Sequence, residues 1–191
     1  MKRVCTVLCA AFCLSAVNVF GDVVNLYFAG GQSNAKVEWA SAIEVRLGEV
    51  IDNVEVVHIR HSGNAMSQWY TTSAQANYET DFFNTSATGV LETAIAQIEA
   101  AGDDPVFRGF FWFQGEGDTG DTNTMDLYAG RFNGMLSELK SDLGISEDIE
   151  FTMALIDMNS DPDYDYPTNT SGRTRGDIEH MRMVQSNICN R

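Results

Sequence analysis

Apolar residues along this chain follow two kinds of pattern, and the two alternate. Val23 to Ala29 (VVNLYFA) is a mostly apolar run rich in β-branched and aromatic residues that stops at Gly30-Gly31, which predicts a strand buried on both faces. From Val37 to Leu47 the apolar positions Val37, Ala40, Ile43 and Leu47 recur at helical spacing, and Gly48 ends the run. Val54 to Ile59 then predicts a second strand. The alternation continues with a helix over Thr88 to Ala101, presenting Val90, Leu91, Ala94, Ile95 and Ile98 on one face and stopping at Gly102. Val106 to Phe113 predicts a third buried strand, Tyr128 to Leu143 an amphipathic helix ending at Gly144, and Ile149 to Ile156 a fourth strand. Strands alternating with helices of this length imply a parallel sheet joined by right-handed crossovers and covered by helices on both faces. The fold class is α/β, a three-layer α/β/α arrangement.

The start of the chain breaks this pattern. Lys2 and Arg3 precede an apolar stretch from Val4 to Val17 that ends near the small-residue site Val19-Phe20-Gly21. This reads as a secretory signal peptide over residues 1–21, cut before Asp22, and it is too short for a comfortable membrane span. The expected organisation is therefore a signal peptide and one domain over 22–191, secreted or periplasmic. Its cleavage discards Cys5, Cys9 and Cys13 and leaves Cys189 alone, so no intramolecular disulfide is expected. The 191 residues include 44% hydrophobic ones, enough to bury a core without such a staple. Twelve basic residues against 27 acids give a formal charge of −15, which repels nucleic-acid phosphates and anionic lipid surfaces. Asp157 to Gly176 reads as a long polar loop of the kind that carries function or motion. Asp161 to Asp165 begins like a calcium loop, but Tyr166 and Gly172 stand where that motif needs a glycine and a bidentate glutamate. No metal site is expected there.

In open parallel sheets reactive groups collect beyond the carboxyl ends of the strands. Three such ends are polar and glycine-rich: Gly30-Gly31-Gln32-Ser33-Asn34, Ser62-Gly63-Asn64 running on to Trp69, and Trp112-Phe113-Gln114-Gly115-Glu116-Gly117-Asp118. Ser33 has two readings. Its hydroxyl could attack an acyl carbon while nearby amides receive the oxyanion, or Ser33 or Asn34 could simply cap the following helix. Gly63 either admits a ligand close to the backbone or makes a turn.

Taken together, GQSN at 31–34, Gly63 followed six residues later by Trp69, and WFQGEGD at 112–118 resemble the first three blocks of the SGNH hydrolases. The match is to the branch holding sialate O-acetylesterases and the acetylxylan esterases of carbohydrate esterase family 6. The resemblance implies a flavodoxin-like three-layer fold and a serine esterase that needs no metal or organic cofactor and acts on acetylated carbohydrate. It implies that Ser33 is the nucleophile, and that the Ser33 N–H, the Gly63 N–H and the Gln114 side-chain amide form the oxyanion hole. Glu116 would orient its loop, and Ser62 replaces a glycine found in many relatives.

The family's base lies in an Asp-x-x-His block after a fifth strand near the C-terminus, and six residues separate Gln185 from Arg191, which leaves no room for that strand. The expectation is a C-terminally incomplete domain, or a variant that has lost its base. Asp177-Ile178-Glu179-His180 has the required spacing, but these residues also open a helix in which Asp177 serves as an N-cap or first-turn acid. His58 reads as a core histidine within the second strand, and His61 sits at the cleft edge. Two functions follow: a secreted O-acetylesterase, or an impaired relative that binds carbohydrate without cleaving it. The sequence leaves open whether the chain is a working enzyme, and its oligomeric state.

Overall fold

The computed structural model describes residues 21–70, 86–156 and 174–190. The expected long loop from Asp157 falls almost wholly outside them, as does the N-terminal stretch read as a signal. Four parallel strands, β1 (Val23–Gly31), β2 (Val54–Arg60), β3 (Asp104–Phe113) and β4 (Phe151–Met153), form one sheet in the order β2-β1-β3-β4. Between and after them run α1 (Val37–Gly48), α2 (Met66–Trp69), α3 (Thr88–Ala101), α4 (Thr122–Asp142) and α5 (Arg175–Cys189). This is the three-layer α/β fold that the alternating pattern predicts.

Strand alternation divides the side chains between two unequal layers. Leu26 and Phe28 of β1, Val57 and Ile59 of β2, and Phe110 and Trp112 of β3 face the main core, where they meet Leu91 and Ile98 of α3, Phe132 and Met135 of α4, and Ile178 and Met181 of α5. Phe28 stacks on Phe110 at 4.8 Å and Phe110 on Trp112 at 5.4 Å. The opposite face carries Ala29, Val56 and Ala40 of α1, with Tyr27, Ile43 and Phe111 partly buried beside them. Small residues dominate this second layer, and α1 lies on it with only Ala40 fully buried.

That asymmetry corrects the predicted helix faces. Val37 is exposed on α1, and Val90 is exposed on α3 while Thr88 takes a buried place instead. Spacing alone gives a helical stripe but not how wide the covering sheet is. Boundaries shift for equally local reasons. Helix α4 begins six residues before Tyr128, because Asp121 caps it by accepting the Asn123 N–H and its polar first turn needs no burial. Strand β4 is shorter than predicted, since it pairs only with β3, over Phe110 to Trp112. Strand β1 runs two residues further, through both glycines. A Cβ on Gly31 would lie 2.1 Å from the Phe113 carbonyl oxygen, so the close approach of β1 to β3 at this end requires glycine.

Candidate active site

Three loops leave the carboxyl ends of β1, β2 and β3 side by side and are stapled to one another. Gln32, 4% exposed, donates its backbone N–H to the Phe113 carbonyl, and its side-chain oxygen accepts the Gly117 N–H at 3.0 Å. The Asn34 side-chain amide donates to Glu116 Oε1. The His61 N–H donates to the Gly31 carbonyl, tying the second loop to the first. His58, the histidine expected in the core of β2, holds the Ser33 turn from beneath, its Nε2 lying 2.7 Å from the Ala35 carbonyl.

Ser33 stands exposed on this turn. The capping reading of Ser33 and Asn34 does not hold: α1 is capped by Lys36, which makes no side-chain cap bond, and Asn34 is committed to Glu116. Among the described residues neither the Ser33 N–H nor the Gly63 N–H has a hydrogen-bond partner. Gly63 adopts φ +79°, a conformation that strains any side-chain-bearing residue, which is why glycine suits this turn.

Gln114 is 1% exposed and held at both ends. Its backbone carbonyl accepts Gln185 Nε2 at 2.8 Å and the Tyr128 hydroxyl at 3.2 Å, while Tyr128 accepts Trp112 Nε1 at 2.9 Å. Gln185 in turn accepts the Ile156 N–H, linking α5 to the chain beyond β4. The Gln114 side-chain Nε2 donates to Asp118 Oδ2 at 2.5 Å and makes a longer 3.3 Å contact to the Asn64 carbonyl. Both Asp118 oxygens also accept the Met66 N–H at the start of α2. One carboxylate thus ties the third loop to the second. Burial pushes the Asp118 pKa up to about 6, against the opposing pull of its Gln114 and Met66 hydrogen bonds and the Arg131 guanidinium. The same burial drives Tyr128 well above its ordinary value, so it stays a neutral donor. Partial burial lowers His61.

Sequence reasoning missed the short helix α2 and the roles of Gln32, Asp118 and Gln185. The only signal for them was the polarity of residues flanking apolar strands. The Asp-x-x-His spacing at 177–180 does not make a dyad. Asp177 accepts the Thr174 N–H and hydroxyl in a capping box at the start of α5, and His180 pairs instead with Asp126 of α4 at 3.2 Å. Residues three apart share a helix face, but Thr174 takes the Asp177 carboxylate and Asp126 of α4 takes the imidazole.

A cavity of about 310 Å³ opens at this end of the sheet, lined by Asn34, Trp39, Phe113, Gln114, Glu116, Ala154, Leu155 and Ile156. No histidine is among them. No group of three metal-ligating side chains occurs among the described residues. The arrangement offers an exposed hydroxyl, backbone N–H groups on two loops unpartnered among the described residues, and a fixed amide on a third, which is chemistry suited to acyl transfer.

The family described as carbohydrate esterase, sialic acid-specific acetylesterase, matches residues 35–190, beginning two residues after Ser33. Among solved structures, a protein from Arabidopsis thaliana is 17% identical with a TM-score of 0.49, covering 78% of this chain and 49% of that one. This chain therefore spans about half the length of that protein. No curated protein matches it.

Proposed function

The chain belongs to the carbohydrate esterases of the sialic acid-specific acetylesterase family, and we propose that it removes O-acetyl groups from carbohydrate with Ser33 as nucleophile. In this reading Ser33 Oγ attacks the acetyl carbonyl carbon and its proton passes to a general base. The ester C–O bond then breaks as the sugar oxygen takes that proton, and water repeats the sequence on the acetyl-serine to release acetate. The Ser33 N–H, the Gly63 N–H and Gln114 Nε2 receive the tetrahedral oxygen, a lost donor costing about 3 to 4 kcal/mol of transition-state stabilisation.

The observation that carries this reading is the state of those donors. The two backbone N–H groups are unpartnered among the described residues, and Gln114 has one amide proton fixed by Asp118 and a second resting on a 3.3 Å contact that a substrate oxygen can displace. The reading places the enzyme in the branch with sialate O-acetylesterases and carbohydrate esterase family 6, exported by residues 1–21. It does not take His180 as the base, since that imidazole pairs with Asp126 of α4.

A second reading has its own support: Asp177 and His180 are each taken by other partners, which fits a relative that binds acetylated sugar without hydrolysing it. Hydrolysis of p-nitrophenyl acetate by the chain and by Ser33→Ala separates the two. The esterase reading expects turnover that falls about a thousandfold or more in the variant. Equal rates in both proteins would remove Ser33 from the mechanism, and sugar binding without Ser33-dependent turnover would establish the second reading.

A further inference from the structure

Ser33 and Asn34 are the two central residues of a turn closed by the Ala35 N–H on the Gln32 carbonyl at 3.0 Å. Neither the Ser33 N–H nor its carbonyl enters a backbone hydrogen bond among the described residues, so the position of the hydroxyl is set by what grips the residues around it. Gln32 and Asn34 are gripped from one side, by Phe113 at the end of β3 and by Gly117 and Glu116 beyond it. The remaining corner is Ala35, which is 2% exposed and to whose carbonyl no backbone N–H among the described residues donates. A buried carbonyl needs a donor. His58 supplies one from the other side, with Nε2 2.7 Å away.

A carbonyl oxygen can only accept, so Nε2 carries a proton and the neutral ring is the Nε2–H tautomer. His58 stands two residues beyond Val56 on the face of β2 that α1 covers, and it lies opposite Ala29 in the pairing of β2 with β1. That pairing runs from Val54 to Arg60, so the donor is offered from a fixed strand and not from a loop. The turn bearing Ser33 is thereby clamped between β2 and the loop after β3. Freed on the β2 side, it would be held on the other side alone. A small displacement of a nucleophile from the acyl carbon lowers the rate of attack while barely changing how a small ester binds.

We infer that His58 is a positioning residue for Ser33: as the Nε2–H tautomer it anchors the Ala35 carbonyl and so holds the nucleophile's turn in place against the oxyanion donors. The inference rests on the esterase reading of Ser33 and adds to it a residue that acts through Ala35.

Two variants of the full chain test this. His58→Phe keeps a ring and lacks the donor, whereas His58→Gln places an amide N–H close to where the imidazole Nε2–H was. Hydrogen exchange of the Ala35 N–H, whose bond closes the turn, quickens about tenfold or more in His58→Phe and returns to within about threefold of wild type in His58→Gln. The Phe28 N–H in the middle of β1 exchanges alike in wild type and both variants. Ser33-dependent hydrolysis of p-nitrophenyl acetate follows the same order: kcat falls about ten- to a hundredfold in His58→Phe with KM within about twofold, and His58→Gln recovers most of the loss. Should His58→Phe fail to fold, nitrogen-15 spectra of the wild type decide, by showing a slowly exchanging His58 Nε2–H; a neutral ring protonated at Nδ1 instead overturns the inference. Unchanged Ala35 exchange or unchanged kcat in His58→Phe, or a loss that His58→Gln does not repair, overturns it as well. Absence of Ser33-dependent turnover in the wild type would instead sink the esterase reading, and the exchange ratio would then decide by itself whether His58 anchors the turn.

Discussion

Replacing Asp118 with asparagine removes a charge that the fold holds at a cost. Its carboxylate is 1% exposed, and burial raises its pKa from 3.8 to about 6 despite the hydrogen bonds from Gln114 and Met66. A folded-state pKa above the unfolded one means that the protonated group favours the fold. That contribution is complete below about pH 3.8 and is lost as the pH rises through about 6. The gap corresponds to about 3 kcal/mol, so at pH 7 the ionised carboxylate leaves the fold weaker by about that amount than a neutral group would. In Asp118→Asn the stability difference from wild type therefore grows by about 2.4 kcal/mol between pH 4 and pH 7, about 5 to 10 °C in Tm for a domain of this size. Activity moves the opposite way. Asparagine keeps one acceptor oxygen in place of two, so Gln114 Nε2 and the Met66 N–H compete for it, and where Gln114 loses its hold the oxyanion donor is misplaced, lowering Ser33-dependent kcat by up to about a hundred- to a thousandfold. Urea unfolding of both proteins at pH 4, 5, 6 and 7, with p-nitrophenyl acetate turnover at pH 7, measures both effects. Parallel stability curves, or a variant that keeps full Ser33-dependent turnover, would refute the clasp that Asp118 forms between the two loops.

Other substitutions probe the supports around the site. Gln185→Leu leaves the Ile156 N–H without its partner and deprives the Gln114 carbonyl of one of two donors, a loss of about 2 to 3 kcal/mol in denaturant unfolding; a change below 0.5 kcal/mol would mean the bonds are replaceable. His180→Ala removes a partly exposed pair with Asp126 and should cost no more than about 1 kcal/mol of stability, leaving Ser33-dependent hydrolysis unchanged; abolished turnover in a folded variant would make His180 the base after all.

The order of strands and helices was legible from the sequence because burial imposes a period of two or of 3.6 on any segment that covers a core. Gly30 and Gly31 were legible as a stopping place, although the strand runs through them to bring its end against Phe113. Ser33 and Gln114 stood out as polar residues directly beyond apolar strands and Gly63 as a glycine at such an end, but their roles came only from the family resemblance. Contacts made at long sequence separation had no such local signature. Nothing in the spacing of Asp118 announces that it grips Met66, 52 positions away, and nothing in that of Gln185 announces Gln114, 71 positions away. The Asp177 and His180 spacing was misleading for the same reason, since Thr174 and Asp126 compete for those side chains and only the packing of α5 on α4 decides between partners. Periodicity is a property of one segment facing one surface, so the sequence settled which elements form. Which side chains meet depends on how several elements are packed together, and only the tertiary structure decided that.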